Sequence, residues 1–411
     1  MYNEVKDYYG KYNIDCEKAM ARVANIPISL HVWQADDVVG LEHNAKSLSG
    51  GIQTTGNYPY RARNFEEIKQ DLSFALSLIP GQKRLNLHAS YLVSDENVER
   101  DAISEKEFTP WVEFAKEHNL ALDFNPTFFS HEKVKNNQTL SSSDEEIREF
   151  WVRHGKACRK IAAYFAKEQK GYSLCNLWIP DGFKDIPANT LQPRLNLIKS
   201  LDEIYSDSYE GVIDSVESKV FGIGLEANTV GSNEFYLLYA KSKKNLYPLL
   251  DIGHFHPTEN VADKITALLP FFKYIPLHVT RPMRWDSDHV VRLTDEIEAI
   301  TNQIISLNIE DRVLIGLDYF DASINRIIAW VTGARNIQKA LLKSALTPWE
   351  KLNKEQEMED FSSLLADSEC YKTLPWGLVW DEYCKRQGIP LEEKWVNIVK
   401  QYEVNELTKR V

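Results

Sequence analysis

The sequence predicts an α/β protein built on a (β/α)8 TIM barrel, with an N-terminal helix before it and a helical C-terminal extension after it. Three observations lead there. Eight short apolar runs alternate with segments of helical spacing, the pattern of a closed parallel sheet rather than an open, doubly wound one. The polar residues in those runs come late, and barrel active sites occupy the face made by the C-terminal ends of the strands. The 411 residues, 43% of them hydrophobic, suit a barrel with an appendage and supply a sizeable core. On this reading residues 1–25 form the N-terminal extension, 26–347 the barrel, and 348–411 a helical extension suited to contacts between subunits.

Taken in order, Val5 to Val23 has helical spacing outside the core, and Ile26–Trp33 reads as the first strand, ending in His31 and Trp33. The stretch from Ala35 to Asn64 is rich in Gly, Ser, Thr and Asn. A loop of that length after a strand end reads as a lid. A helix from Phe65 to Ile79 stops at Pro80-Gly81, and Arg84–Tyr91 is the second strand, with His88. A helix around Trp111–His118 precedes the third strand, Leu120–Phe129, with Asp123 and Asn125. Ser143 and Glu146 form a capping-box pattern at the head of a long helix that runs to about Glu168. Ser173–Pro180 is the fourth strand, with Trp178 near its end, and Leu191 to Ile204 is helical.

The fifth strand is read as Val216–Ile223, which puts Glu217 and Lys219 on one face. Ser232–Lys243 is the next helix, with Ser232 as its cap. The sixth and seventh strands, Leu249–Ile252 and Ile275–Val279, flank a helix at Glu259–Phe272. Arg292–Leu307 is helical, Val313–Phe320 is the eighth strand with Asp318, and a helix starts near Ala322, where Asp321 is placed to cap it. From about Trp349 onward the chain is amphipathic and helical.

The formal net charge of −12 argues against a protein that tracks nucleic-acid phosphates. No apolar run reaches membrane-spanning length. Cys16, Cys158, Cys175, Cys370 and Cys384 show no C-x-x-C spacing, which suggests free thiols in a reducing compartment. The polar, acidic N-terminus is unlike a secretory or transit peptide, so the expected location is cytoplasmic.

Chemistry concentrates between Tyr247 and His289. Asp251 and His254 form D-x-x-H at the end of the sixth strand, His278 lies in the seventh, and Asp286 and Asp288 form D-x-D just beyond. Ionised carboxylates beside a core need a cation or hydrogen-bond partners. Imidazole nitrogen with carboxylate oxygen suits a divalent ion such as Mn, Mg, Co or Zn. Glu217 and Lys219 read either as a ligand beside a catalytic cation or as a structural ion pair, and Asp318 either as a ligand or as a helix cap. If Glu217, Asp251, Asp286, Asp288 and Asp318 converge, their charges raise one another's pKa values. Two divalent ions and Lys219 balance those five charges, with Asp251 central enough to bridge. His88, Trp33, Phe124, Phe128 and Trp178 read either as the wall of a sugar pocket or as ordinary barrel core.

The segments HVWQADD, GGIQTTGNYP, RLNLHA, LDFNP, WIPDG, VESKVFGIG, VGSNEFY, DIGHFHPTE, RPMRWDSDHVV and GLDYFDASINRI resemble those of bacterial L-rhamnose isomerases. The resemblance runs from about Ile26 to Thr347 and continues more weakly through LPWGLVWDEYC. It implies a barrel of the xylose-isomerase type, a homotetramer, and a manganese-dependent isomerase converting the aldose L-rhamnose to the ketose L-rhamnulose. A metal-assisted hydride shift is the expected route, with proton transfer through an enediol as the alternative that no sequence feature separates from it. It further implies a catalytic metal held by His254, Asp286 and Asp288 with Asp251 shared, and a second metal held by Glu217, Asp251, His278 and Asp318. Lys219 is similar to a lysine that contacts the first sugar oxygen. Phe124 and the Gly50–Arg63 loop resemble pocket and lid elements, and His88 is the candidate for ring opening. The rival readings are a metal-dependent hydrolase or nuclease on the same scaffold, an isomerase of another aldose, and a non-catalytic sugar-binding protein.

Overall fold

A computed structural model describes residues 2–43, 52, 54–219, 227–283, 285–392 and 394–410, with only the main chain for 282, 283 and 285–288. Eight parallel strands close into a barrel: β1 (Ile28–His31), β2 (Lys83–His88), β3 (Ala121–Asn125), β4 (Ser173–Leu177), β5 (Val212–Glu217), β6 (Leu246–Asp251), β7 (Ile275–Val279) and β8 (Val313–Leu317). Each pairs with its neighbours in chain order, and β1 closes the ring on β8. The register sets His31 beside Asn86, His88 beside Asn125, and Asp251 and Gly316 on either side of His278.

Helices wrap the barrel: α3 (Phe65–Leu76), α4 (Thr109–Glu117), α5 (Glu145–Glu168), α6 (Leu191–Ile204), α7 (Asn233–Ser242), α8 (Val261–Leu268), α9 (Asp295–Ser306) and α10 (Arg326–Ala345). Before them lie α1 (Tyr2–Gly10) and α2 (Cys16–Ala24), two helices where one was expected. Asp15 breaks the run: its carboxylate accepts from the Glu17 and Lys18 amides and starts α2 afresh. After the barrel come α11 (Trp349–Glu357), α12 (Phe361–Tyr371), α13 (Trp376–Arg386) and α14 (Lys394–Asn405). No described helix is long and apolar enough to cross a membrane.

Several expected boundaries move for local reasons. The cap of α5 is Asp144, which accepts from the Glu146 and Ile147 amides, so the Ser143–Glu146 box does not form. A capping box occurs instead at Ser104 and Glu107. The cap of α10 is Asn325, while the carboxylate of Asp321 accepts from Ser323. The fifth strand starts earlier than expected and stops at Glu217, so Lys219 lies past its end. The strand takes in Asp214, ahead of the expected start at Val216. That carboxylate turns outward and takes two hydrogen bonds, both 2.8 Å, from Arg159 of α5. A buried acid is tolerated where a guanidinium meets it bidentately, and the pair pins the longest helix to the barrel wall.

The barrel interior is polar at its N-terminal end too. Asp123 accepts from Arg84 at 2.6 and 2.9 Å, from Ser29 at 2.7 Å, and from the Leu174 amide at 2.9 Å. These bonds join four neighbouring strands and close the barrel floor.

Candidate metal centre

Strand register brings four predicted ligands together at the C-terminal rim. Glu217 ends β5, Asp251 ends β6, His278 sits late in β7, and Asp318 follows β8. One ligand atom from each lies within 4.8 Å of all the others. His278 Nδ1 is 3.2 Å from Glu217 Oε2, 3.1 Å from Asp318 Oδ2 and 3.8 Å from Asp251 Oδ2. Gly316 makes room for this ring: a Cβ at that position would lie 3.4 Å from His278 Cδ2 and 3.2 Å from the Leu277 carbonyl.

The electrostatics call for positive charge. Burial alone would lower the pKa of His278, but Glu217 and Asp318 outweigh it and hold the imidazole well above its usual value. Burial would raise Asp318, yet His278 beside it brings the carboxyl down to about 2. Three carboxylates around one imidazole in a dry site fit a divalent ion, whose charge would replace that of the proton. Among the described residues this is the one group of metal-ligating side chains gathered tightly enough to hold an ion.

The surrounding side chains aim the ligands. Trp33 Nε1 donates to Asp318 Oδ1 at 3.0 Å. Asn176 Nδ2 donates to Glu217 Oε2 at 2.5 Å, and Ser215 Oγ donates to Asn176 Oδ1 at 2.8 Å. The Gly253 amide donates to Asp251 Oδ1 at 2.6 Å. Outer contacts of this kind fix ligand orientation. The sequence reading missed Asn176 and Ser215, though both alternate inward on their strands.

His254 lies in the helical turn after β6, with Nδ1 3.3 Å from Glu217 Oε1. It therefore meets the opposite oxygen of the carboxylate that faces His278. Asp286 and Asp288 lie on a strand, Trp285–His289, paired antiparallel with Arg281–Met283. That strand lies against the His254 turn. Their side chains fall outside the described atoms.

A cavity opens beside the cluster, lined in part by Trp33, His88, Asn125, Phe129, Trp178 and Phe320. His88 stands edge-on to Trp33, with ring centroids 4.6 Å apart. Scarce water around it pushes its pKa down to about 3, so it is neutral at ordinary pH. Lys219 is buried, with Nζ 3.1 Å from the Pro180 carbonyl and 5.6 Å from the Trp178 ring centre. Phe124 is not in the wall. Its place on β3 turns it outward, where its ring packs on Phe108 and Phe165 at 4.9 and 5.6 Å. Phe128 likewise packs on Trp151 and His154. Phe129 takes the wall position, and a one-residue change of direction past a strand end is invisible to alternation. Of the loop expected to act as a lid, 44–51 and 53 lie outside the described residues. A second hollow at the barrel's opposite end, around Lys83 and Arg84, carries no such cluster.

Comparison with known proteins agrees with this picture. The family model described as L-rhamnose isomerase (RhaA) matches residues 1–410, through the C-terminal helices as well as the barrel. The chain is 52% identical to the L-rhamnose isomerase of Mannheimia succiniciproducens, over 100% of this chain and 98% of that one. It is 50% identical to that of Salmonella typhi, over 98% and 97%. A solved L-ribulose 3-epimerase overlaps 77% of this chain and 95% of its own at 12% identity, with a TM-score of 0.48, too loose to weigh. The chain belongs to the L-rhamnose isomerase family of aldose–ketose isomerases.

Proposed function

We propose that the protein interconverts L-rhamnose and L-rhamnulose in rhamnose catabolism, with two divalent ions, manganese by preference, at the rim. The observation that carries this reading is the convergence of Glu217, Asp251, His278 and Asp318, one atom of each within 4.8 Å of the rest, in a chain of that family. These four would hold one ion. His254, Asp286 and Asp288, sharing Asp251, would hold the other. Bound there, the ions supply Lewis-acid polarisation of the sugar carbonyl and neutralise the carboxylates.

The protein's own groups do the rest. His88 assists opening of the sugar ring by proton transfer. Trp33 and Trp178 shape the pocket and keep water from the reacting carbons. Lys219, held at the Pro180 carbonyl, sets an ammonium where it stabilises negative charge on the first sugar oxygen. The isomerisation then moves hydride from carbon 2 to carbon 1 and a proton from the oxygen on carbon 2 to that on carbon 1. The barrel at 26–347 carries this chemistry. Met358, Phe361 and Leu365 of the C-terminal extension, each more than 60% exposed, offer apolar surface for a homotetramer in the cytoplasm.

The test is ketose formation from L-rhamnose with added manganese, before and after chelation. Asp286→Ala should lose nearly all turnover while remaining folded. Wild-type turnover by that variant, or full turnover under excess chelator, rejects the metal assignment. Heavy uptake of deuterium at carbon during turnover in deuterated water rejects the hydride shift in favour of an enediol.

A further inference from the structure

His88 presents one side of its ring to the cavity, and its other side is held by a residue with no part in the reading above. Thr127, just past the end of β3, is wholly buried. Its Oγ1 lies 3.3 Å from His88 Nδ1 and accepts the Ser90 amide at 3.2 Å. The main chain of Thr127 is fixed from both sides. Its N–H donates to His154 Nε2 at 2.9 Å, and its carbonyl accepts from Arg100 Nη1 at 2.8 Å. Because His154 Nε2 accepts, the proton of that ring sits on Nδ1, which donates to the Arg100 carbonyl at 2.8 Å. Arg100 in turn is gripped by Glu42 through two bonds of 2.7 Å. A threonine whose amide, carbonyl and hydroxyl are all engaged in a dry site is a rigid post.

We propose that Thr127 is the positioning residue of ring opening: its hydroxyl accepts from His88 Nδ1–H and so holds Nε2 as the free base facing the sugar. This rests on the reading of His88 as the ring-opening group. Two lone pairs on Oγ1 match two donors, the Ser90 amide and His88 Nδ1–H, and the neighbouring Pro126 main chain also hydrogen-bonds this ring. In the step itself, Nε2 takes the proton of the anomeric hydroxyl as the bond between carbon 1 and the ring oxygen breaks. The bonding pair goes to the ring oxygen, which receives the proton back from the imidazolium. The product is the open aldehyde and a neutral imidazole, so atoms and charge balance. Without the hydroxyl the Pro126 contact is left to hold this side of the ring, so the ring exchanges tautomers more freely and the base is misplaced for part of the time.

The experiment compares kcat/KM on the cyclic aldose with kcat/KM on 2,3-dihydroxyhexanal of matching configuration, which has no hydroxyl able to close a ring. In the manganese-loaded enzyme, Thr127→Val should raise the ratio of acyclic to cyclic kcat/KM about tenfold, a fraction of the ~100-fold that an acid–base group supplies. Thr127→Ser, which keeps the hydroxyl, should return the ratio to within about twofold of the parent. His88→Gln should raise the ratio ~100-fold. If Thr127→Val lowers both activities equally, or neither, while His88→Gln shifts the ratio, Thr127 is structural and the proposal is overturned. If His88→Gln leaves the ratio unmoved, the ring-opening role of His88 is what fails, and the role of Thr127 falls with it. Should Thr127→Val not fold, Thr127→Ala carries the same comparison.

Discussion

Trp33 Nε1 donates a hydrogen bond to Asp318 Oδ1 at 3.0 Å, across the seam where the first and last strands close the barrel. The indole also stands against His88. One side chain therefore touches a carboxylate of the candidate metal centre and the candidate ring-opening base.

Trp33→Phe keeps a ring against His88 and removes only the N–H. Losing an outer hydrogen bond to a metal ligand should weaken manganese binding by about tenfold. Titration followed by the electron-spin-resonance signal of free manganese reads this directly. Unchanged affinity would mean that Asp318 is oriented by other groups.

Acid should unfold the protein early. Burial pushes His31, His88 and His154 down to about 3, whereas an unfolded histidine titrates near 6.5. Their contribution is whole above that unfolded value. It drains as pH falls toward 3, because the unfolded chain takes up the proton first, at about 1.4 kcal/mol per pH unit each. Asp36 acts oppositely: burial raises it to about 7, so acidification from pH 7 to about 4 returns roughly one histidine's share. Burial also raises Asp71, Asp181 and Asp214, which act in the same sense as Asp36, so the loss between about pH 6 and 4 is smaller than the three histidines' sum. Urea unfolding at several pH values measures it. His154→Gln should flatten the slope by ~1.4 kcal/mol per unit, and a slope equal to the parent's would count against this account.

The C-terminus braces the loop that follows β1. Arg410 donates to Asp71 of α3 at 2.6 and 2.7 Å, and both side chains are under 5% exposed. Tyr402 donates to the same carboxylate at 2.9 Å. Glu403 accepts from Tyr58 and Asn325. Arg410→Met leaves Asp71 buried without its cation and should cost about 3–5 kcal/mol in urea unfolding. Amide exchange should quicken at residues 54–63 before it does in α10. Equal exchange in parent and variant would show that the loop does not depend on the tail.

Much of this was legible in the chain. Eight apolar runs, each followed by a helical segment, specify a closed parallel sheet, because buried strands are apolar on both faces and parallel strands need a crossover. The position of Asp251, His278 and Asp318 late in their runs placed chemistry at one rim, since buried acids and imidazoles need a partner. What alternation could not carry was direction. Asp214 lies ahead of the strand as read from the sequence and is wall, because Arg159, distant in sequence, neutralises it. Phe124, which read either as pocket or as core and which the family resemblance put in the pocket, is core, since one residue decides which side of the sheet a ring faces. The hydrogen bonds from Asn176 to Glu217, from Trp33 to Asp318, and between Thr127 and His88 each join different strands or strand ends. Such pairs become neighbours only when the barrel closes, so tertiary structure alone decides which polar groups meet and which way they point.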